Sequence, residues 1–117
     1  MTADVRELGR RAKVAARRLA TVSSQAKDAT LHAAAELLET RAAGVLDANA
    51  QDVAAAEAAG LEAAPLDRLR LDEARIGSMA SGLRQVAALE DPVGEVLGGS
   101  RRPNGLKIER VRVPLGV

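Results

Sequence analysis

The sequence predicts a mainly α chain of four to five helices that is followed by a β-hairpin. Apolar residues recur at spacings of three and four through the first 90 residues, as they do along one face of a helix. The composition then changes at Asp91, because every alanine lies before it while Gly, Pro, Val and Arg dominate after it. We therefore expect a helical segment over residues 1–90 and a hairpin over residues 91–117.

The first predicted helix runs from about Asp4 to Ala20. Its apolar stripe is formed by Val5, Leu8, Ala12, Ala15 and Leu19. A second stripe of the same period is basic and consists of Arg6, Arg10, Lys13 and Arg17. Such a stripe is either a surface that binds phosphate or acidic groups or a solvated helix face. Because no aromatic residues are interleaved with it, we favour the solvated face.

The second helix is predicted from its start signal. Ser23 and Ser24 are residue types that cap helix N-termini, and the apolar spacing continues to about Thr40. His32 falls inside this helix and is the only histidine of the chain. With no second ligand candidate nearby, we interpret it as a surface or packing residue.

Asn49 is predicted to cap a new helix after a short helical stretch through Val45 and Leu46. Asp52 follows three residues later, in the spacing of a capping box. Gly60 offers the left-handed backbone conformation in which helices end. The polar residues of this region are thus explained as helix ends.

The last helix is predicted after a short helical or turn segment opened by Pro65. Leu71, Asp72 and Ile76 stand at the positions of a hydrophobic staple around an N-cap, and the helix is expected to reach about Leu89. We expect its buried stripe to consist of Ile76, Met79, Ala80, Leu83, Val86 and Ala87.

Two strands are predicted after the helices, over Val93–Leu97 and Leu106–Val113. The residues between them, "GGSRRPNG", are rich in turn formers and predict a long hairpin loop. In the second strand the apolar parity changes between Ile108 and Val111. Such a change requires a β-bulge or a strand that leaves one sheet for another.

Composition excludes several classes of function. With 17 basic against 16 acidic residues, net charge does not indicate nucleic acid or a membrane as a partner. The chain has no cysteine and one histidine, which argues against thiolate chemistry and a metal site. Neither a secretion signal nor a membrane span is recognised, so a cytoplasmic location is expected. The absence of aromatic residues predicts a thin core.

No arrangement of residues predicts a complete reaction centre. Gly98 and Gly99 precede Ser100 and Arg101, but no helix start follows that would form an anion site with them, so a hairpin loop is favoured. Carboxylates such as Glu36 and Glu39 share a helix face, as exposed helices commonly show. We therefore assign no catalytic, cofactor-binding or metal-binding residue.

Two stretches carry a specific resemblance. They are "LDANAQDVAAAEAAGLEAAPLDRLRLDEARI" and "DPVGEVLGGSRRPNGLKIERVRVPLGV", within which "NAQDV", "LDRL", "DPVG" and "RVPLGV" are the most specific pieces. They resemble the amino-terminal region of the γ-glutamyl phosphate reductases, or glutamate-5-semialdehyde dehydrogenases, a branch of the aldehyde dehydrogenase superfamily. The resemblance covers essentially all 117 residues. Asp72 stands where that family often has threonine, and both residues are N-caps.

The resemblance implies that this chain is one part of a longer α/β enzyme with an aldehyde-dehydrogenase-like nucleotide-binding domain. Pro114–Val117 would lead into the first strand of that domain. The family reduces γ-glutamyl phosphate with NADPH, giving glutamate 5-semialdehyde and phosphate for proline biosynthesis, and it uses a cysteine thiolate. Because the 117 residues contain no cysteine, the resemblance carries no catalytic residue onto any position, and the segment alone is expected to be inactive.

The partners implied by the resemblance are the remainder of the same chain and further copies of it. The helices would pack on the cofactor domain, and the hairpin would contribute to an oligomerisation sheet. Glutamate 5-kinase is a possible pathway partner, whereas nucleic acid and membranes are not expected. The alternatives are a free-standing helical protein-interaction module and, least favoured, a nucleic-acid binder that uses the basic stripe of the first helix.

Overall fold

The computed structural model describes residues 4–115, over which the chain forms five α-helices and one two-stranded antiparallel sheet. This confirms the predicted fold class. Gly116 and Val117, at the end of the predicted lead into a further strand, lie outside the described residues. The elements are α1 (Val5–Leu19), α2 (Ser24–Thr40), α3 (Ala42–Ala58), α4 (Ala63–Leu69), α5 (Glu73–Ala87), β1 (Val96–Arg101) and β2 (Lys107–Val111).

Backbone contacts divide the chain into two compact units. One unit is Gln25–Leu89, in which α3 packs against both α4 and α5. The other comprises the described parts of Met1–Ser24 and Glu90–Val117, and it contains α1 and the hairpin. The predicted packing of the helical segment, residues 1–90, on a cofactor domain stays a prediction.

Helix α1 begins where predicted, with Asp4 as its N-cap, but buries none of its side chains. The Asp4 Oδ1 atom accepts a hydrogen bond from the backbone nitrogen of Arg6 at 3.0 Å. The apolar stripe predicted on this helix is exposed, at 78% for Val5, 49% for Leu8 and 47% for Leu19. The helix is therefore specified by local signals and not by burial within the described chain.

The predicted helix start at Asn49 is wrong, because α3 runs through it without interruption. Asn49 is buried in the middle of the helix, where its side chain is bonded to another segment. The predicted end is confirmed. Gly60 has φ 77° and donates to the Glu57 carbonyl oxygen, while the Leu61 nitrogen donates to the Ala56 carbonyl oxygen. This is the Schellman arrangement of a helix C-terminus.

Helix α5 starts as predicted and supplies most of the core. The Asp72 Oδ1 atom accepts a hydrogen bond from the Arg75 backbone nitrogen at 2.7 Å, which caps the helix. The predicted buried stripe is only partly correct, since Met79 and Val86 are 47% and 54% exposed. Ile76 is the largest fully buried side chain of the described residues. The buried apolar residues are Ala35, Val53, Ile76, Ala80 and Ala87.

The hairpin is confirmed, but β1 lies later in the chain than the predicted Val93–Leu97, and β2 is shorter than the predicted Leu106–Val113. The loop between the strands is shorter than predicted. Strand β1 includes Gly98 and Gly99, and the connection is closed by a hydrogen bond from the Arg102 nitrogen to the Leu106 carbonyl oxygen at 2.8 Å. Gly105, at φ 86°, supplies the left-handed residue of the turn. Gly98 and Gly99, which the sequence placed in a loop, therefore belong to β1 because they pair with β2.

The register of the hairpin contains the irregularity that the sequence predicts, but on the other strand. Val96 pairs with Val111 while Gly98 pairs with Arg110, so Leu97 is the extra residue. The bulge therefore lies in β1, opposite the part of β2 where the apolar parity changes.

Candidate functional site

The basic stripe of α1 is partly occupied by a local ion pair. The Arg10 guanidinium donates through Nε and Nη2 to the two carboxylate oxygens of Glu7, at 2.7 and 2.6 Å. This paired hydrogen bond lowers the pKa of Glu7 and raises the pKa of Arg10. Both side chains are exposed to solvent. The stripe therefore has the character of a solvated helix face at Arg10.

Glu36 and Glu39, the two carboxylates that share a face of α2, interact differently with Arg84. Arg84, on α5, donates through Nη1 and Nη2 to the two carboxylate oxygens of Glu39 at 2.7 and 2.6 Å. These bonds lower the pKa of Glu39. Glu39 is thus a structural partner of α5, and Glu36 acts on Arg84 only through its charge.

His32 lies exposed on α2, and it belongs to no cluster that could hold a metal. Across residues 4–115, no group of three or more His, Cys, Asp or Glu side chains has the proximity of a metal site.

Of the two adjacent glycines of the hairpin, Gly99 is explained by close packing between the strands, and Gly98 is not. A Cβ atom on Gly99 would lie 2.8 Å from the carbonyl oxygen of Ile108, which is closer than a side chain tolerates. A Cβ atom on Gly98 would meet nothing within 4 Å. Both residues lie in β1, and a turn and then β2 follow them. They do not stand ahead of a helix N-terminus, where an anion would bind.

Residues of two sequence motifs are held together by hydrogen bonds from Asn49 and Arg75 around the end of α4 and the link to α5, an arrangement that we call the clamp. Asn49, in "NAQDV", contacts the backbone of the segment that links α4 to α5. Arg75 donates to the carbonyl oxygens of Asp67 and Arg70 and to the Asp67 carboxylate, so it closes the end of "LDRLR". Sequence reasoning missed this arrangement because its hydrogen bonds join residues 20 and 22 positions apart.

The hairpin offers a further candidate surface. Within the part of the chain described, β1 and β2 pair only with each other, so each leaves an outer edge of unpaired backbone. Alternation along the strand places Leu106 and Ile108 on one face and Val111 and Val113 on the other. These four side chains are 57%, 44%, 43% and 77% exposed. Both faces therefore present apolar surface that a neighbouring polypeptide can cover.

Comparison with known proteins finds relatives of this chain. The chain is 54% identical over 111 residues to the γ-glutamyl phosphate reductase of Mesorhizobium japonicum, and 49% identical over 111 residues to that of Rhizobium etli. Each match takes in 95% of this chain and 26% of the relative. The chain is homologous to the amino-terminal portion of γ-glutamyl phosphate reductase. It spans about a quarter of the length of these curated reductases.

Solved reductase structures share the fold. The γ-glutamyl phosphate reductase of Thermotoga maritima superposes with a TM-score of 0.85 at 36% identity, covering 92% of this chain and 26% of that one. The γ-glutamyl phosphate reductase of Saccharomyces cerevisiae superposes with a TM-score of 0.85 at 30% identity, and the match covers 97% of this chain and 29% of that one. No protein-family profile matches the sequence. No helix within residues 4–115 combines the length and apolar character needed to cross a membrane.

Proposed function

We propose that the chain is a supporting segment of an NADPH-dependent γ-glutamyl phosphate reductase of the aldehyde dehydrogenase superfamily. The enzyme would convert γ-glutamyl phosphate to glutamate 5-semialdehyde and phosphate in proline biosynthesis. The observation that carries the proposal is the identity of 54% over 95% of the chain. The shared fold, with a TM-score of 0.85, supports it independently.

The chemistry of the described residues supports a structural role for this segment. The sequence has no cysteine, so a thiolate nucleophile would come from another part of the enzyme. A dinucleotide phosphate group is commonly bound where a glycine-rich turn opens a helix. Gly98 and Gly99 do not fit such a site because they belong to β1. NADPH would therefore bind outside the residues described, and no reaction step is assigned to them.

The proposed partners follow from the exposed hairpin. Its open edges and two apolar faces suit strand pairing with another copy of the enzyme, as part of an oligomerisation sheet. Glutamate 5-kinase, which makes the acyl phosphate, is proposed as the neighbour in the pathway, and the cytoplasm as the location. Neither nucleic acid nor a membrane is proposed as a partner.

A graft tests the proposal directly. The chain would replace the matching amino-terminal segment of the Mesorhizobium japonicum reductase, giving the grafted reductase. We expect the grafted reductase to be folded and to retain the parent's phosphate-dependent reduction of NADP by glutamate 5-semialdehyde to within about tenfold. The isolated chain should show no turnover above a buffer blank.

Two results would overturn the proposal. One is a grafted reductase that is inactive beside an active parent prepared in the same way. The other is cofactor turnover by the isolated chain that rises in proportion to its concentration and survives repeated purification. The second result would place the chemistry within these 117 residues.

A further inference from the structure

The hairpin is tied at its base to the segment that precedes it. The Gly94 nitrogen donates to the Arg112 carbonyl oxygen at 2.9 Å, and the Arg112 nitrogen donates to the Glu95 carbonyl oxygen at 2.9 Å. The Glu95 nitrogen also donates to the Pro92 carbonyl oxygen at 3.2 Å, which closes a turn. Residues 92–95 are therefore joined to the end of the hairpin, and a contact that holds this segment also holds the hairpin.

Asp91 connects this segment to the start of α2. Its Oδ1 atom accepts a hydrogen bond from the Val93 nitrogen at 3.0 Å, and its Oδ2 atom accepts one from the Ser24 hydroxyl at 2.8 Å. The first bond is local, whereas the second joins residues 67 positions apart. Ser24 and Asp91 lie in the same compact unit as the hairpin. The two oxygens of one carboxylate thus link the first residue of α2 to the base of the hairpin.

Proline makes this connection stiff. Pro92 follows Asp91 directly, and proline fixes its own φ and restricts the residue before it to extended backbone. Few free backbone rotations therefore separate the Asp91 carboxylate from the first hairpin bond, which is made by the Gly94 nitrogen. A hydrogen bond at Asp91 thereby constrains the direction of the hairpin relative to Ser24.

The strands of the hairpin bury no side chain that would fix this direction. Every residue of β1 and β2 is exposed, and within residues 4–115 the two strands pair only with each other. Packing of the strands within the described chain therefore does not orient the hairpin. The contacts at its base do so, and the bond between Ser24 and Asp91 is one that comes from outside the hairpin.

We propose that Asp91 is a positioning residue, whose hydrogen bond with Ser24 holds the hairpin in the direction in which it pairs with another copy of the enzyme. The inference rests on the proposed function and its oligomerisation sheet. A hairpin that is oriented before association loses less conformational freedom when two copies bind, so the copies bind more tightly. Loss of the bond therefore weakens the association of subunits and leaves the helix and the strand pairing intact.

Matched serine variants of the grafted reductase test the hydrogen bond. Ser24→Ala removes the hydroxyl that binds Asp91, while alanine remains favourable in a helix. We expect the dissociation constant of the subunits, measured by sedimentation over a dilution series, to rise by about three- to tenfold. Ser78→Ala is the control and should leave this constant unchanged, because the exposed Ser78 hydroxyl donates within its own helix, to the Ala74 carbonyl oxygen at 2.9 Å. Ser24→Thr, which keeps a hydroxyl, should also leave it unchanged.

Two further measurements separate positioning from general stability. At a concentration where the subunits are associated, Ser24→Ala should have the Tm of the unmodified graft. A lower Tm with an unchanged dissociation constant would give Ser24 a structural role alone and would overturn the inference. In an Asp91→Ala background, Ser24→Ala should change the dissociation constant little further, because both variants remove the same bond.

The results distinguish this inference from the proposed function. An active graft in which Ser24→Ala associates as tightly as Ser78→Ala would overturn the positioning role and leave the reductase standing. An equal effect of Ser24→Ala with and without Asp91, or an active graft that stays a monomer at every concentration, would do the same. An inactive, unfolded graft beside an active parent would refute the proposed function and this inference together.

Discussion

Asn49, in the middle of α3, accepts a hydrogen bond from the backbone nitrogen of Leu71, with its Oδ1 atom 2.8 Å from that nitrogen. Its Nδ2 atom donates to the Leu69 carbonyl oxygen at 2.9 Å. The Asn49 side chain thus supplies hydrogen-bond partners to two backbone groups, the Leu69 carbonyl and the Leu71 N–H, at the point where the chain passes from α4 to α5. The buried position of Asn49 makes this replacement energetically important.

Replacing Asn49 by alanine should lower the free energy of unfolding of the grafted reductase by about 1–3 kcal/mol, because a part-buried N–H and a C=O lose their partner. Chemical denaturation measures the change. Asn104→Ala is the control, since the Asn104 Oδ1 atom accepts from the Leu106 nitrogen at 3.1 Å in an exposed turn that water can reach. An equal decrease in the free energy of unfolding for the two variants would contradict the stabilising role of the Asn49 hydrogen bonds.

Replacing Gly99 by alanine should disturb the hairpin, because its Cβ atom would lie 2.8 Å from the Ile108 carbonyl oxygen. Forcing the strands apart should cost about 1–3 kcal/mol, the usual range for overpacking. Hydrogen exchange at the β2 amides of the grafted reductase is expected to accelerate. Gly98→Ala, where the added carbon has open space, should leave exchange unchanged. Indistinguishable exchange in the two variants would exclude the close approach.

The ion pair between Glu39 and Arg84 predicts a defined dependence on pH. Hydrogen bonds from Arg84 lower the pKa of Glu39 from its ordinary value of 4.5, so the folded state binds the proton less tightly than the unfolded state. The stabilisation is therefore present above pH 4.5 and is lost as the pH falls through the lowered pKa. Glu39→Gln should destabilise the grafted reductase at pH 7, and the difference should shrink in acid.

A double-mutant cycle isolates this pair. In an Arg84→Gln background, Glu39→Gln should change the free energy of unfolding little at any pH. The hydrogen bonds from Arg84, which make the pKa of Glu39 lower in the folded state than in the unfolded state, are absent there. Urea denaturation at several pH values measures all four proteins. A pH-dependent effect of Glu39→Gln that persists without Arg84 would assign the shift to another group.

The isolated chain is expected to be helical but loosely packed. Ile76 is the largest fully buried side chain of the described residues, and apolar side chains on α1 and the hairpin are exposed. We predict binding of a hydrophobic dye, a broad thermal transition and association that increases with concentration. A sharp cooperative transition with a stable monomer would instead support a free-standing interaction module.

The sequence was sufficient to predict the features that depend on neighbouring residues. Asp72 caps α5 as predicted, because a carboxylate can reach the backbone N–H group three residues ahead. Gly60 ends α3 because glycine adopts positive φ without strain. The motifs also predicted the homology to γ-glutamyl phosphate reductase, while no reacting residue could be assigned from them.

Tertiary structure decided what depends on residues far apart in the chain. Asn49 is a residue type that caps helices, yet it lies within α3 because the α4–α5 link supplies better partners for its amide. Gly98 and Gly99 are turn formers, yet they belong to β1 because pairing with β2 satisfies their backbone. Met79 and Val86 follow the apolar period of α5 and are still exposed, since periodicity indicates apolar faces but not what covers each of them.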